Sequence, residues 1–361
     1  MRVVICPDKF AGTLTAVQAA AAIATGWHSV RPDDELLSVP LADGGEGTIE
    51  VIAHARDDVK VHTVEVADAT GVATQAAWVS VPDGTAVVEA AQACGLSVLP
   101  HDARDPLQTT TYGVGQLLAV VLGTRPTRIV VGLGGSATVD GGAGMMSALS
   151  GHGVRRADGN GVKVGGRWVA QVAAVPPAPA VPPIVIASDV TNPLLGPDGA
   201  AAVFGPQKGA DAPAVRELET ALHHWADVVE QSLPGGPWRD RPGAGAAGGL
   251  WFALMAFLDA RMDSGAATVA DLIGLDLHGA DVVITGEGSL DAQTLAGKGP
   301  AEIRSRGTDA GAITVAVAGV ISDDAGSDFD IAESLGPDGM TRPSEMVSRA
   351  AARAAARLDR A

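Results

Sequence analysis

The amino-acid sequence predicts a two-domain α/β protein: a doubly wound, parallel-sheet domain assembled from both chain ends, and an inserted mixed-sheet α/β domain between them. Three observations predict it. The 361 residues exceed the roughly 150 that one domain typically uses. Six short apolar runs recur without polar alternation, the pattern of strands buried on both faces of a parallel sheet. Residues 59–90 alternate instead and are punctuated by turn formers, the pattern of an antiparallel meander.

In chain order, Val3-Val4-Ile5-Cys6 is the first buried strand and ends before Asp8. A helix follows, because Thr15 and Gln18 stand at capping-box spacing and Leu14, Val17, Ala21 and Ala24 fall near one face; it is expected to end near Gly26. Residues 36–40 make the next strand, before Asp43. The meander covers 59–63 and 78–81, with turns at 68–71 and 82–84. Ile129-Val130-Val131 and Ile184-Val185-Ile186 return to the buried pattern. Between them, five prolines over 175–183 cannot be a helix interior or a central strand and form a stiff surface connection. Val282-Val283-Ile284, expected to stop at a turn carrying Gly286 and Glu287, and the run 313–317 complete the series. Strand, helix, strand at both ends places 1–55 and 275–361 in one domain and 56–274 in the insertion.

Composition narrows the function. Lys and Arg number 25 against 42 Asp and Glu, a formal charge of −17, which repels a nucleic-acid backbone. A small anionic substrate must therefore be held by locally placed cations, backbone N–H groups or a metal ion. Cys6 and Cys94 are the only cysteines, the usage of a reducing compartment. The first ten residues read as a strand rather than a signal peptide, and the uncharged stretch 242–258 falls short of the ~20 residues that span a bilayer. A cytoplasmic protein is expected, with no membrane partner, as a monomer or homodimer.

Chemistry gathers at the strand ends. Residues 130–146 hold six glycines around Asp140. Two readings stand: phosphate binding at a strand-to-helix turn, or close packing of backbone on backbone. Read literally, Gly132-Leu133-Gly134-Gly135-Ser136-Ala137 is a GxGxxA dinucleotide fingerprint, but its partner acid would fall near Asp158 in a polar, arginine-flanked loop. No GxxxxGK[ST] pattern is present. A carboxylate such as Asp140 repels a phosphate unless a metal ion lies with it. Asp43 to Thr48, Ser188-Asp189-Val190-Thr191-Asn192, and Gly286 to Asp291 repeat the theme of hard oxygen ligands beside small residues, so together they suggest a metal–phosphate site. Lys9, Arg104, Lys208 and Lys298 are the nearby cations, each otherwise an ordinary surface charge. His223 and His224, adjacent in a helix, point in different directions and make a poor metal pair. The absence of GxSxG argues against a serine hydrolase built on Ser136. Arg349, Arg353 and Arg357 read as the wet face of the last helix.

Together these motifs resemble the bacterial glycerate kinase family, whose members transfer a phosphoryl group from ATP to D-glycerate. The resemblance is carried by Pro7-Asp8-Lys9-Phe10, Asp43 to Thr48, Thr110 to Gly115, Gly134 to Thr138, Ser188 to Gly196, Phe204 to Ala210, Pro242 to Gly249, Ile284 to Gly288 and Gly297-Lys298. It implies two α/β domains, one Rossmann-like, a cleft between them, and Mg2+ with ATP as phosphoryl donor. Three positions depart from the pattern: Ala11 where a second lysine is usual, Val139 for Asn, and Ser289 for Arg.

The site residues expected on this basis are Asp189 as the base, with Lys9 and Asp43 also catalytic. Arg104, Asn192 and Lys208 are expected at the substrate, and Gly134, Gly135, Ser136, Thr138, Gly286 and Lys298 at the nucleotide. Glu287 and Asp291 are expected at the metal. Two rivals remain: an NAD-dependent oxidoreductase of a small hydroxy acid, using the GxGxxA stretch, and a non-catalytic binding protein on a degenerate kinase scaffold, motivated by the three departures.

Overall fold

The apolar runs become strands β1 Arg2–Pro7, β2 Glu35–Ser38, β3 Lys60–Ala67, β4 Ala73–Ser80, β5 Thr85–Glu89, β6 Arg128–Gly132, β7 Ile184–Ala187, β8 Arg261–Asp263, β9 Val282–Leu290, β10 Ile313–Ile321 and β11 Ile331–Ser334. Helices are α1 Ala16–Val30, α2 Thr48–Ala55, α3 Ala91–Cys94, α4 Tyr112–Gly123, α5 Ala143–Leu149, α6 Ala212–Ser232, α7 Ala246–Leu258, α8 Gly265–Leu272, α9 Gly299–Asp309 and α10 Pro343–Leu358. The structure, a computed structural model, describes residues 1–150, 153–161, 165–291, 299–322 and 324–358. Contacts divide the chain into two compact units, one of Met1–Asp43, Glu50–Asp57 and Ser264–Ala361, the other of Gly44–Ile49 and Asp58–Asp263.

In the first unit five strands pair in the order β11-β10-β9-β1-β2, every pair parallel. The central strands β1, β9 and β10 are apolar on both faces, with Val3, Ile5, Ile23, Trp27, Val282 and Val347 in one buried cluster; β2, expected to be buried, is an edge strand and largely exposed. The Thr15 capping box starts α1. The helix does not stop at Gly26 but continues to Val30. Gly26 is where α1 meets α10: a Cβ there would run into the Ser348 carbonyl oxygen. Its missing side chain allows helix–helix approach rather than ending the helix. A second expectation also fails. Residues 286–290 are not a turn, because β10 keeps pairing along β9, Val317 with Gly286, Ala318 with Glu287 and Val320 with Ser289. The wet face of α10 is held by ion pairs of Arg353 and Arg357 with Glu333.

The second unit has a six-stranded sheet ordered β3-β4-β5-β6-β7-β8. The meander supplies two antiparallel pairs and the later strands three parallel ones, so the sheet is mixed. Val114, Leu117 and Val121 of α4 and Leu250, Phe252 and Leu254 of α7 share its core with Val131 and Ile186; each such side chain contributes roughly 1.5–3 kcal/mol on burial. Residues 175–183 have no regular structure, as the prolines require. Cys6 and Cys94 are buried and free, and burial pushes both thiols up to about 12. Among the described residues no helix is long and apolar enough to cross a membrane.

Candidate active site

In the first unit, β1 delivers Asp8 and Lys9 past its last residue. The Asp8 amide donates to the Gly286 carbonyl (2.8 Å), tying this turn to β9, and the Leu41 amide donates to the Pro7 carbonyl (2.9 Å), which carries Asp43 to the same edge. The Asp8 carboxylate is 7% exposed and accepts the Lys9 amide at 2.6 Å. Burial pushes its carboxyl well above the usual carboxylate range, and the negative charges of Asp43 and Glu287 push the same way against Lys9. Three acids from three segments therefore crowd one place. A cavity of about 570 Å³ lies over them, and Lys9, Asp43, Glu287 and Asp291 all line it with Asp8. Ala11 and Ser289, two of the departures from the family pattern, line it too. Gly286 lies beneath, where a Cβ would strike the Val317 carbonyl. Lys298 falls outside the described residues. Among those residues no group of three or more His, Cys, Asp or Glu side chains is arranged to hold a metal ion.

In the second unit, ten residues separate the end of β6 from α5, and Asp140 acts inside them. Its carboxylate accepts the Thr111 amide (2.8 Å), the Gly142 and Gly144 amides (3.1 and 3.2 Å) and the Thr111 hydroxyl (3.0 Å). Burial raises its carboxyl, and these hydrogen bonds oppose the rise. Asp140 is fully buried. It satisfies the first N–H groups of α5 and fastens that helix to the start of α4, so it is not a ligand-facing acid, and the turn does not present open N–H groups there as expected. Each such N–H left unmet would cost about 1–3 kcal/mol.

The glycines answer to the same logic. The Gly44 carbonyl occupies the place of a Gly132 side chain, and the Gly45 Cα would lie 2.6 Å from a Cβ on Gly134. What comes close to this backbone is the chain's own backbone. Beneath the loop, Lys208 is 3% exposed and its ammonium donates to the Ser136 hydroxyl (3.0 Å) and the Thr138 carbonyl (2.8 Å). Burial pulls its pKa down to about 8. Gly134 and Gly135 form the more open tip.

Of the remaining expected residues of this unit, Arg104 follows a short 3-10 turn at His101–Ala103, and Asp189 and Asn192 follow β7. Arg104 donates through Nη2 to the Leu96 carbonyl (3.1 Å). Asn192 donates through Nδ2 to the Asp198 carbonyl (2.9 Å). Asp189 stands just past β7, half-buried, after Ser188, whose amide donates to the Asp263 carbonyl (3.3 Å). The structure thus gathers Lys9, Asp43, Glu287 and Asp291 in one cavity, and Ser136, Thr138 and Lys208 in one buried network.

Two acids were absent from the expected set. Asp8 was visible only as a strand-end acid in Pro7-Asp8-Lys9-Phe10. Glu89 is 1% exposed and accepts the Gly47 and Ile49 amides (3.1 and 3.2 Å) at the start of α2. The one signal for Glu89 was an acid ending an apolar strand.

Two α/β units that gather carboxylates, a lysine and glycine-rich turns at strand ends define a small-molecule enzyme rather than a structural or nucleic-acid-binding protein. The glycerate kinase family model matches residues 3–360, and the chain belongs to that family. It is 40% identical over 334 residues to glycerate 2-kinase of Escherichia coli (strain K12), covering 90% of this chain and 87% of the relative. It is equally identical over 334 residues to glycerate kinase of Bacillus subtilis (strain 168), covering 90% and 86%. A crystal structure described as that of a "putative glycerate kinase 2" from Salmonella typhimurium LT2 matches with a TM-score of 0.82 at 37% identity, over 100% of this chain and 98% of that one.

Proposed function

We propose that this chain is an ATP- and Mg2+-dependent kinase that phosphorylates D-glycerate, with 2-phosphoglycerate as the product suggested by the name of its Escherichia coli relative. One observation carries the reading: similarity to enzymes named glycerate kinase extends over 90% of the chain rather than over one nucleotide-binding motif. The rival dinucleotide reading loses its main support, because the GxGxxA glycines at 132 and 134 face the protein's own backbone.

The residues present fit a magnesium ion. Crowded carboxylates are hard oxygen donors, and burial with the charges of Asp43 and Glu287 raises the Asp8 carboxyl among them; such a cluster suits a cation that binds through one or two carboxylates and completes its shell with phosphate oxygens and water. Glu287 and Asp291 would hold it, and when bound it supplies positive charge to the polyphosphate. Lys9 adds a second positive charge for the migrating phosphoryl group, whose transfer depends on positioning and electrostatics. Asp43 holds its carboxylate at the same cavity. Asp189 accepts the proton of the substrate hydroxyl as that oxygen bonds to the γ-phosphorus and the bond to the ADP oxygen breaks. Arg104, Asn192 and Lys208 serve the substrate acid, Lys208 by shaping the loop above it. Gly134 and Gly135, supported by Ser136 and Thr138, serve the nucleotide with Gly286 and Lys298.

ADP release on adding D-glycerate, with enolase as coupling enzyme to identify the 2-phosphate, tests the reaction. Turnover that requires Mg2+, without tight NAD binding, is the expected result; glycerate binding without turnover overturns it. Asp189→Asn should lower kcat by at least about a thousandfold while nucleotide affinity stays within about twofold. Near-normal turnover in that variant removes Asp189 from the base role.

A further inference from the structure

Counted within its own unit, the parallel sheet runs 2-1-3-4-5, and the order reverses between β1 and β9. Helices leave in opposite directions at such a reversal, so a crevice opens outside the carboxyl ends of the strands, where doubly wound sheets take their ligands. The cavity of about 570 Å³ lies at this point. Lys9 follows β1, Glu287 belongs to β9, Val320 to β10, and Leu335 follows β11.

Its lining is of two kinds. Asp8, Lys9, Asp43 and Glu287 are charged; Val320, Leu335, Pro337 and Met340 are apolar. Val320 and Met340 are 64% and 73% exposed, more than any other large apolar side chain among the described residues. Apolar groups left bare beside a polar cavity mark a surface that a ligand covers. The volume lies in the range of about 300–1,000 Å³ that holds drug-sized ligands, far more than a three-carbon acid fills. A ligand with a flat, largely apolar ring at one end and polyanionic oxygens at the other matches both kinds of lining.

Resting on the reading of the chain as an ATP-dependent kinase, we propose that this crevice is the site of the nucleotide's base and ribose, with the purine covered by Val320, Leu335, Pro337 and Met340. The base site thus uses no residue of the glycine-rich stretch 130–146, which the sequence marks most strongly. It is formed by the ends of four parallel strands and the turn after β11.

Calorimetric titration of the full chain with Mg2+, in the absence of glycerate, tests this with two probes: ATP and inorganic tripolyphosphate, which lacks base and ribose. Both apolar side chains are exposed, so the double variant Val320→Ser with Met340→Ser leaves the core intact. The expected result is about a tenfold loss of ATP affinity, unchanged tripolyphosphate affinity, and a KM for glycerate within about twofold. Unchanged ATP affinity overturns the site, as does equal weakening of both probes, or a raised KM for glycerate in place of the ATP effect. Failure of the unaltered chain to bind ATP overturns it as well. If the selective loss of ATP affinity appears but glycerate is never phosphorylated, the site stands and the assigned reaction falls. If glycerate is turned over normally and the double variant leaves ATP affinity unmoved, the reaction stands and the base site falls.

Discussion

Residues 130–146 and 284–291 look alike as sequence, each an apolar strand running into glycines and an acid, yet the structure uses their acids in opposite ways. Around 130–146 the missing side chains are replaced by protein: the Gly44 carbonyl and Gly45 Cα fill the places at Gly132 and Gly134, and Asp140 is consumed by main-chain N–H groups. Along 284–291, Gly286 is closed by the Val317 carbonyl in the same way, but a Cβ on Gly288 would find its nearest neighbour at an ordinary 3.5 Å, and Glu287 and Asp291 line a cavity. Glycine reports that something approaches the backbone closely; only the topology says whether that is a ligand or another segment of the chain.

The contrast breaks most sharply on two matched substitutions. Gly132→Ala forces a methyl group into a backbone carbonyl that cannot yield as a side chain could, and should cost at least about 3 kcal/mol in denaturant unfolding. Gly288→Ala should leave stability within about 0.5 kcal/mol and show itself, if at all, in ligand affinity. Equal losses would dissolve the distinction.

A smaller effect, in the closed region, comes from Lys208. Its folded pKa lies near 8 against an ordinary 10.5, so below about pH 8 the folded chain must bury an ammonium ion. Between about pH 8 and 10.5 the unfolded chain holds the extra proton, and stability rises with pH, by up to roughly 3 kcal/mol at 1.36 kcal/mol per unit. Unfolding free energies of the wild type minus those of Lys208→Met should climb across that window; a flat difference would mean the ammonium is not buried.

The smallest effect is expected in the open region. Asp8 has its carboxyl raised by burial and by Asp43 and Glu287, so the folded state loses stability as pH rises above the unfolded carboxylate value of about 3.9. Asp8→Asn keeps the acceptor for the Lys9 amide and should melt above the wild type at pH 7.5 without divalent cations. The gap should close as pH falls toward 4 or when Mg2+ is added. A lower Tm for the variant at pH 7.5 would show that the acids do not press on one another.

Much of the fold class was legible because it depends on local pattern. Unalternating runs such as Val3-Val4-Ile5 and Ile129-Val130-Val131 became parallel strands, and alternation over 59–81 became antiparallel pairs. What misled were signals whose meaning lies in a distant partner. Gly26 resembles a helix stop, but Ser348 of α10 explains it. Gly286-Glu287-Gly288 resembles a turn, but about 30 positions later β10 holds it as strand. Asp8 draws its character from Asp43 and Glu287, neighbours in space only, and Asp140 takes its role from Thr111. Single-residue periodicity carries no trace of such pairings.

The pairing of β1 with β9 has a consequence for how the protein is made. Val3 must wait for Val282, so during synthesis the first two strands of that sheet leave the ribosome with one apolar edge bare while the whole intervening unit is still being translated. The entropy of closing so long a loop grows only logarithmically, and an intervening segment that has already condensed shortens the effective distance. The nascent N-terminal strands are thus natural clients for chaperones, and premature termination upstream of β9 would release an edge ready to pair with the wrong chain.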